Sequence, residues 1–209
     1  MSLSVKGIAR HFLSQSGAFS VRQVFFDSAG GSLQQQLETL ARTEITVHVD
    51  ECVYAWTASY QQIWSRINVR VRLDFDPGIP AATMTTLQAT WENGIENMWS
   101  NRWSIGHAGE INCLLEFNVD WVNNNQHHTV RVQSGPARSN MTLWDTADTG
   151  AVAAHEFGHM LGNPDEYTDS ACPSRLPVNT NTIMDNNSNN LPQRLMERFA
   201  DEVGSNVVV

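Results

Sequence analysis

The sequence predicts an α+β fold: a twisted mixed β-sheet with two long helices packed on it. Three observations point there. Several short runs alternate apolar and polar residues as half-buried strands do, a long stretch repeats apolar residues at helical spacing, and a shorter, densely apolar helix follows late in the chain. From residue 67 the order is strand, helix, several strands, helix, which suits both helices lying on one sheet.

Residues 1 to about 43 read as an appendage of short apolar clusters, with a break at Ala29-Gly30-Gly31-Ser32 and a helix over Leu33 to Ala41. Alternation begins with Ile45, Val47 and Val49. The stretch from Trp56 to Trp64 is ambiguous, a short helix being one reading. Val69, Val71, Leu73 and Phe75 alternate with Asn68, Arg70, Arg72 and Asp74, which marks a strand. Past the turn Asp76-Pro77-Gly78, the residues Met84, Leu87, Trp91, Ile95, Met98 and Trp99 predict an amphipathic helix over residues 81–102, with its tryptophans in the core. Leu115, Phe117, Val119 and Trp121 predict the next strand, Val130 and Val132 another, and Met141 to Trp144 a last short one. A second helix follows, with Asp148 or Thr149 as N-cap and Val152, Ala153, Ala154, Phe157, Met160 and Leu161 as its apolar content. Residues 173–190 are rich in Asn, Pro and Ser and read as a loop. A helix over residues 192–203, with Leu195, Phe199 and Val203 on one face, closes the chain.

The composition bounds the partners more than the substrate. A net charge of −9 over 209 residues speaks against nucleic acid or an anionic membrane, both of which demand basic patches. No segment has the length of a membrane-spanning helix, and the oligomeric state is left open. The first residues lack the apolar core and small-residue cleavage site of a signal peptide. Cys52, Cys113 and Cys172 are an odd set, so one disulfide with a free thiol and three thiols both stay open.

The second helix carries the chemistry. Residues 155–167 read His-Glu-Phe-Gly-His-Met-Leu-Gly-Asn-Pro-Asp-Glu-Tyr. His155 and His159 are four apart, so on a helix they stand one turn above the other and can converge on one ion. Glu156 lies beside them as a general base. A catalytic zinc takes three protein ligands and keeps a fourth position for water. Gly162 stands where a helix commonly ends in a left-handed residue, and Pro164 keeps it from resuming, so the chain can bring Asp165 back as third ligand.

With this element order, the pattern His-Glu-x-x-His-x-x-Gly-x-x-Asp resembles the metzincin clan of zinc endopeptidases. Most members have histidine as third ligand. Asp165, with Gly162, Pro164 and Tyr167, is similar instead to the snapalysin-like members, and Cys172 after the motif adds to the likeness. The resemblance covers residues 67–205 in architecture and about residues 150–172 in detailed sequence. It implies a peptidase domain over residues 61–209 and leaves residues 1–60 as an N-terminal extension of unknown role. It implies a small C-terminal lobe that holds the final helix and a methionine-bearing turn under the metal, for which Met184 in Ile183-Met184-Asp185 is the candidate. It also implies Zn2+ on His155, His159 and Asp165, a protein or peptide substrate extended along a sheet edge within residues 127–145, and secretion or delivery by a non-classical export system. Structural Ca2+ occurs in the clan, although no oxygen-rich loop here has a calcium spacing.

Several alternatives stay open at this level. Tyr167 either bonds an oxyanion, supports a ligand, or merely packs. Glu166 is a possible third ligand beside Asp165. Glu197 and Asp201 match the third-ligand and orienting pair of thermolysin-like enzymes. The histidines His11, His48, His107, His127 and His128 admit a second metal site, though adjacent strand histidines ordinarily face opposite ways. Cys52 as an inhibitory zinc ligand, and a zinc-stabilised binding module without catalysis, complete the set.

Overall fold

Alternation turns into a sheet from the first strand onward. In the computed structural model, which describes residues 43–106 and 112–208, β1 (Thr43–Glu51) and β2 (Tyr54–Ile63) form an antiparallel hairpin around the turn Cys52-Val53. The expected boundary at residue 60 therefore falls inside a strand, and residues 43–60 belong to the sheet. The ambiguous stretch from Trp56 is strand, not helix, because its neighbour is β1. Ile45 stands opposite Tyr60, Val47 opposite Ala58 and Val49 opposite Trp56, so cross-strand pairing decides what local propensity left open. The helix expected at Leu33 to Ala41, the break before it, His11 and His107 lie outside the described residues.

β3 (Arg66–Phe75) is the centre of a six-stranded mixed sheet. β6 (Glu116–Trp121) and β7 (His128–Gln133) both run parallel to it. The carbonyl of Val71 accepts from Val122 and that of Arg70 from His127. Successive carbonyls of a strand point opposite ways, so β6 and β7 take opposite flanks of β3. β8 (Leu143–Asp145) pairs with β7 and forms the edge on that side. A second sheet was not anticipated: β4 (Ser104–Gly106) lies between β5 (Cys113–Leu114) and the C-terminal β9 (Asn206–Val208). Strands of two or three residues are too short to leave a periodic signal.

α1 (Ala81–Trp99) and α2 (Gly150–Met160) pack on the sheet through Trp91, Ile95, Trp99, Ala153, Ala154 and Phe157, all fully buried. The tryptophans are core, as expected, and also align the helices. Trp91 donates through its indole to the carbonyl of Asp148 (3.0 Å), and Trp99 to that of Ala154 (2.9 Å). At the crossing two glycines meet: a Cβ on Gly94 would lie 2.3 Å from Cα of Gly150. Beyond α2, the closing helix is broken into a 3-10 turn (Gln193–Leu195) and α4 (Glu197–Glu202), with a short α3 (Ile183–Asn186) inside the expected loop.

His128 ties β7 to β2. It is 6 % exposed, and its Nε2 meets both the carbonyl (2.9 Å) and the N–H (3.2 Å) of Ser59. His127 is bonded elsewhere, to Glu44 (2.9 Å) and the backbone of Arg70 (3.0 Å), and His48 bonds Thr57 (3.1 Å), so these three histidines share no site.

Two outcomes follow from this packing. Alanine inside a helix ordinarily gains about 1 kcal/mol over glycine, but Gly94→Ala drives a methyl into backbone and should instead cost about 2 kcal/mol in urea unfolding. Burial lowers the pKa of His128 from 6.5 to about 4. The neutral native form loses stability as pH falls from 6.5 towards 4, because the unfolded chain takes up the proton first. Between pH 7 and pH 4.5 this amounts to about 2 kcal/mol, and the loss should be absent from His128→Gln when both are unfolded in urea at the two pH values.

Candidate metal centre

The local sequence of α2 sets where its histidines point. Thr149 is the N-cap, its side chain accepting from Val152 (3.4 Å), while the Asp148 carboxylate bonds Ser139 (2.6 Å) and the backbone of Asp145 (2.8 Å). The helix ends where Gly162 takes φ +87°. The N–H of Gly162 donates to His159 and that of Asn163 to Gly158, both at 2.9 Å, the pairing that closes a helix around a left-handed residue. Arg198 adds bonds to the carbonyls of Leu161 (2.5 Å) and Gly162 (3.0 Å). The turn expected at Gly162 is thus formed, and it sends Pro164 and Asp165 back over the helix.

Two backbone carbonyls orient the imidazoles. His155 Nδ1 donates to Ile183 (2.7 Å) and His159 Nδ1 to Asn163 (2.8 Å). Each neutral ring therefore turns an Nε2 lone pair the other way. Both Nε2 atoms lie 3.1 Å from the same oxygen, Oδ1 of Asp165. An electron-rich oxygen at that distance from two nitrogen lone pairs repels them unless a proton or a cation stands among them. Ligand atoms of a tetrahedral zinc lie about 3.3 Å apart, and both nitrogen–oxygen separations fit that ion. The electrostatics agree. Burial alone would depress His155, but Asp165 and Glu156 outweigh it and raise its pKa. Where no ion takes that place a proton does: the burial of Asp165 is then outweighed by protonated imidazoles that donate to it and hold its carboxyl far below the usual range.

Glu156 stands beside the imidazoles, a carboxylate oxygen lying within 4.8 Å of a ring nitrogen of each. It is 5 % exposed, and its Oε2 has no hydrogen-bond partner. Burial raises its pKa, against the pull of the two histidines. These side chains open onto a cleft of about 910 Å³, walled by the β1–β2 hairpin on one side and residues 137–142 on the other. From the hairpin, Trp56 donates to the carbonyl of His159 (3.0 Å) and stands edge-on to its ring. Sequence reasoning missed Trp56, because its strand was assigned to an extension.

The alternative ligands are accounted for. Glu166 is buried but turned away from the imidazoles, paired with Arg194 and accepting from Thr180 and Thr182. Glu197 is exposed on the first turn of α4, so the thermolysin-like set does not assemble. Cys52 is bonded to Cys172 in a disulfide and is not a ligand; Cys113 is free. Tyr167 accepts from Arg138 (3.0 Å), and burial together with the neighbouring Asp165 raises its pKa, which suits a residue that supports that carboxylate. Met184 is fully buried in α3, not in an open turn, and sits under α2: a Cβ on Gly158 would lie 2.3 Å from its sulfur. Among the described residues, His155, Glu156 and His159 each bring a ligand atom within 4.8 Å of the others, and it is the 3.1 Å approach of Asp165 to both imidazoles that singles out the aspartate as third ligand.

No known protein family matches the chain, and neither a curated protein nor a solved structure is similar to it. The site therefore rests on its own geometry. Asp165→Ala should lose most of the zinc measured after dialysis, whereas Glu197→Ala should keep it all; the reverse pattern would reinstate the thermolysin-like set.

Proposed function

We propose that this chain is a zinc-dependent endopeptidase of metzincin-like type, with His155, His159 and Asp165 as metal ligands and Glu156 as general base. The observation that carries this reading is the convergence of two Nε2 lone pairs and one carboxylate oxygen on a single point, with an unpartnered carboxylate at its side. A zinc ion bound there would lower the pKa of a water and polarise the scissile carbonyl. Glu156 does the proton work. A buried carboxylate without a partner costs stability, and one with a raised pKa can take a proton from the attacking water and hand it to the departing amine. A zinc-stabilised binding module would have no use for that carboxylate, which weighs against the inactive alternative.

Met184 serves as an apolar floor beneath the ligand helix, in the role of the clan's methionine turn. The cleft passes along residues 137–142 beside the edge strand β8, where an extended peptide can add main-chain hydrogen bonds, so the substrate is a protein or peptide segment. The disulfide Cys52–Cys172 suits an oxidising compartment and so supports a secreted or exported protein.

The decisive comparison is between the zinc-loaded protein and Glu156→Gln on casein. The variant should bind zinc as the native chain does yet cleave about 10²–10⁴-fold more slowly, with chelator abolishing the native activity. Equal cleavage by both, or none by the native protein, would sink the proposal.

A further inference from the structure

The mechanism above leaves one buried charge without a task. Arg175, in the segment after α2, has a side chain only 2 % exposed. A guanidinium taken out of water is tolerated only where it is paired and hydrogen-bonded. Its Nε and Nη2 both reach Oε2 of Glu51, at 3.0 and 2.8 Å. Its Nη1 donates to the carbonyl of Tyr167 (3.2 Å) and stands 3.8 Å from Oδ2 of Asp165. The guanidinium carbon lies 5.1 Å from the ring centre of Tyr167 and 5.6 Å from that of Tyr54. Glu51 and Tyr54 both belong to the β1–β2 hairpin, whose turn is tied to the same segment by the disulfide Cys52–Cys172.

The two oxygens of Asp165 therefore face different surroundings. Oδ1 meets the imidazoles, while Oδ2 looks toward the positive charge of Arg175. A gap of 3.8 Å is too long for a hydrogen bond, so the guanidinium acts on Oδ2 as a charge. It also covers the ring of Tyr167 and bonds its backbone, so the residue two places after Asp165 is held by the same guanidinium. A turn of the carboxylate about its own bond would take Oδ2 away from that charge. We propose that Arg175 is the positioning residue for Asp165, holding it with one oxygen toward the imidazoles, and that the β1–β2 hairpin holds Arg175.

This inference rests on the proposed metal site, and cobalt(II) tests the two separately. The full chain, Arg175→Lys and Arg175→Met are titrated with cobalt while the visible ligand-field spectrum is recorded, folding being checked by thermal melting. Affinity should fall in the order native, Lys, Met, by about ten- to hundred-fold for Met, with the visible bands altered in both variants. Lysine keeps the charge without the fork and so regains part of the affinity. A folded variant that loses thermal stability but matches the native protein in cobalt affinity and spectrum overturns the assignment, since Arg175 would then be a structural ion-pair partner only. Should Arg175→Met fail to fold, Arg175→Lys decides by the same criterion. A native chain that takes up no cobalt overturns the metal site itself.

Discussion

Two imidazole nitrogens, each held 3.1 Å from one carboxylate oxygen, are the constraint on which this structure turns. Left to themselves they would separate. They stay together because each is fastened from behind: His155 by the carbonyl of Ile183, His159 by that of Asn163, and Asp165 by the charge of Arg175. None of these fasteners lies on the ligand helix. The helix supplies the spacing of the two imidazoles, and the irregular segment after it supplies their direction.

That segment has little regular structure, so side chains must brace it. Glu166 is the hub. Its carboxylate joins Arg194, Thr180 and Thr182, while its backbone bonds Met184 (2.8 Å) and Asn179 (2.7 Å). These contacts fix α3, which presents the Ile183 carbonyl to His155 and the Met184 sulfur to Gly158. An acid beside the third ligand thus works one step removed, by holding the element that orients a histidine. The same logic governs α1: the glycine contact and two indole bonds set its distance and register against α2, and through α2 those of the metal site.

The parts legible in the sequence were those whose signal is local. Strand alternation at Val69 to Phe75, the spacing of Trp91, Ile95 and Trp99, and the histidine pair with Gly162 each follow from a period or a backbone preference. What escaped depends on residues far apart in sequence. The stretch from Trp56 is a strand because β1 pairs with it, and β4, β5 and β9 are too short to show a period. Gly94, Gly150 and Gly158 carried a signal that was passed over, since glycine inside a helix is costly and implies a close approach. Arg175 gave none, for an arginine in a polar loop is ordinarily solvated.

Those distant residues bear on the proposed chemistry most where the site departs from the commoner pattern. An aspartate in place of a third histidine brings negative charge to the metal and makes it a weaker Lewis acid. Here the second oxygen of that aspartate faces a buried guanidinium, which draws charge from the first. In the proposed metal site a ligand so held would behave more like a neutral donor than a bare carboxylate. Glu51 and Tyr54, which keep the guanidinium in place, are contributed by the hairpin that sequence reasoning set aside as an extension. On this view the hairpin walls the cleft with one face and, through Arg175, tunes the third ligand, so the electronic character of the site is decided about a hundred residues upstream of its motif.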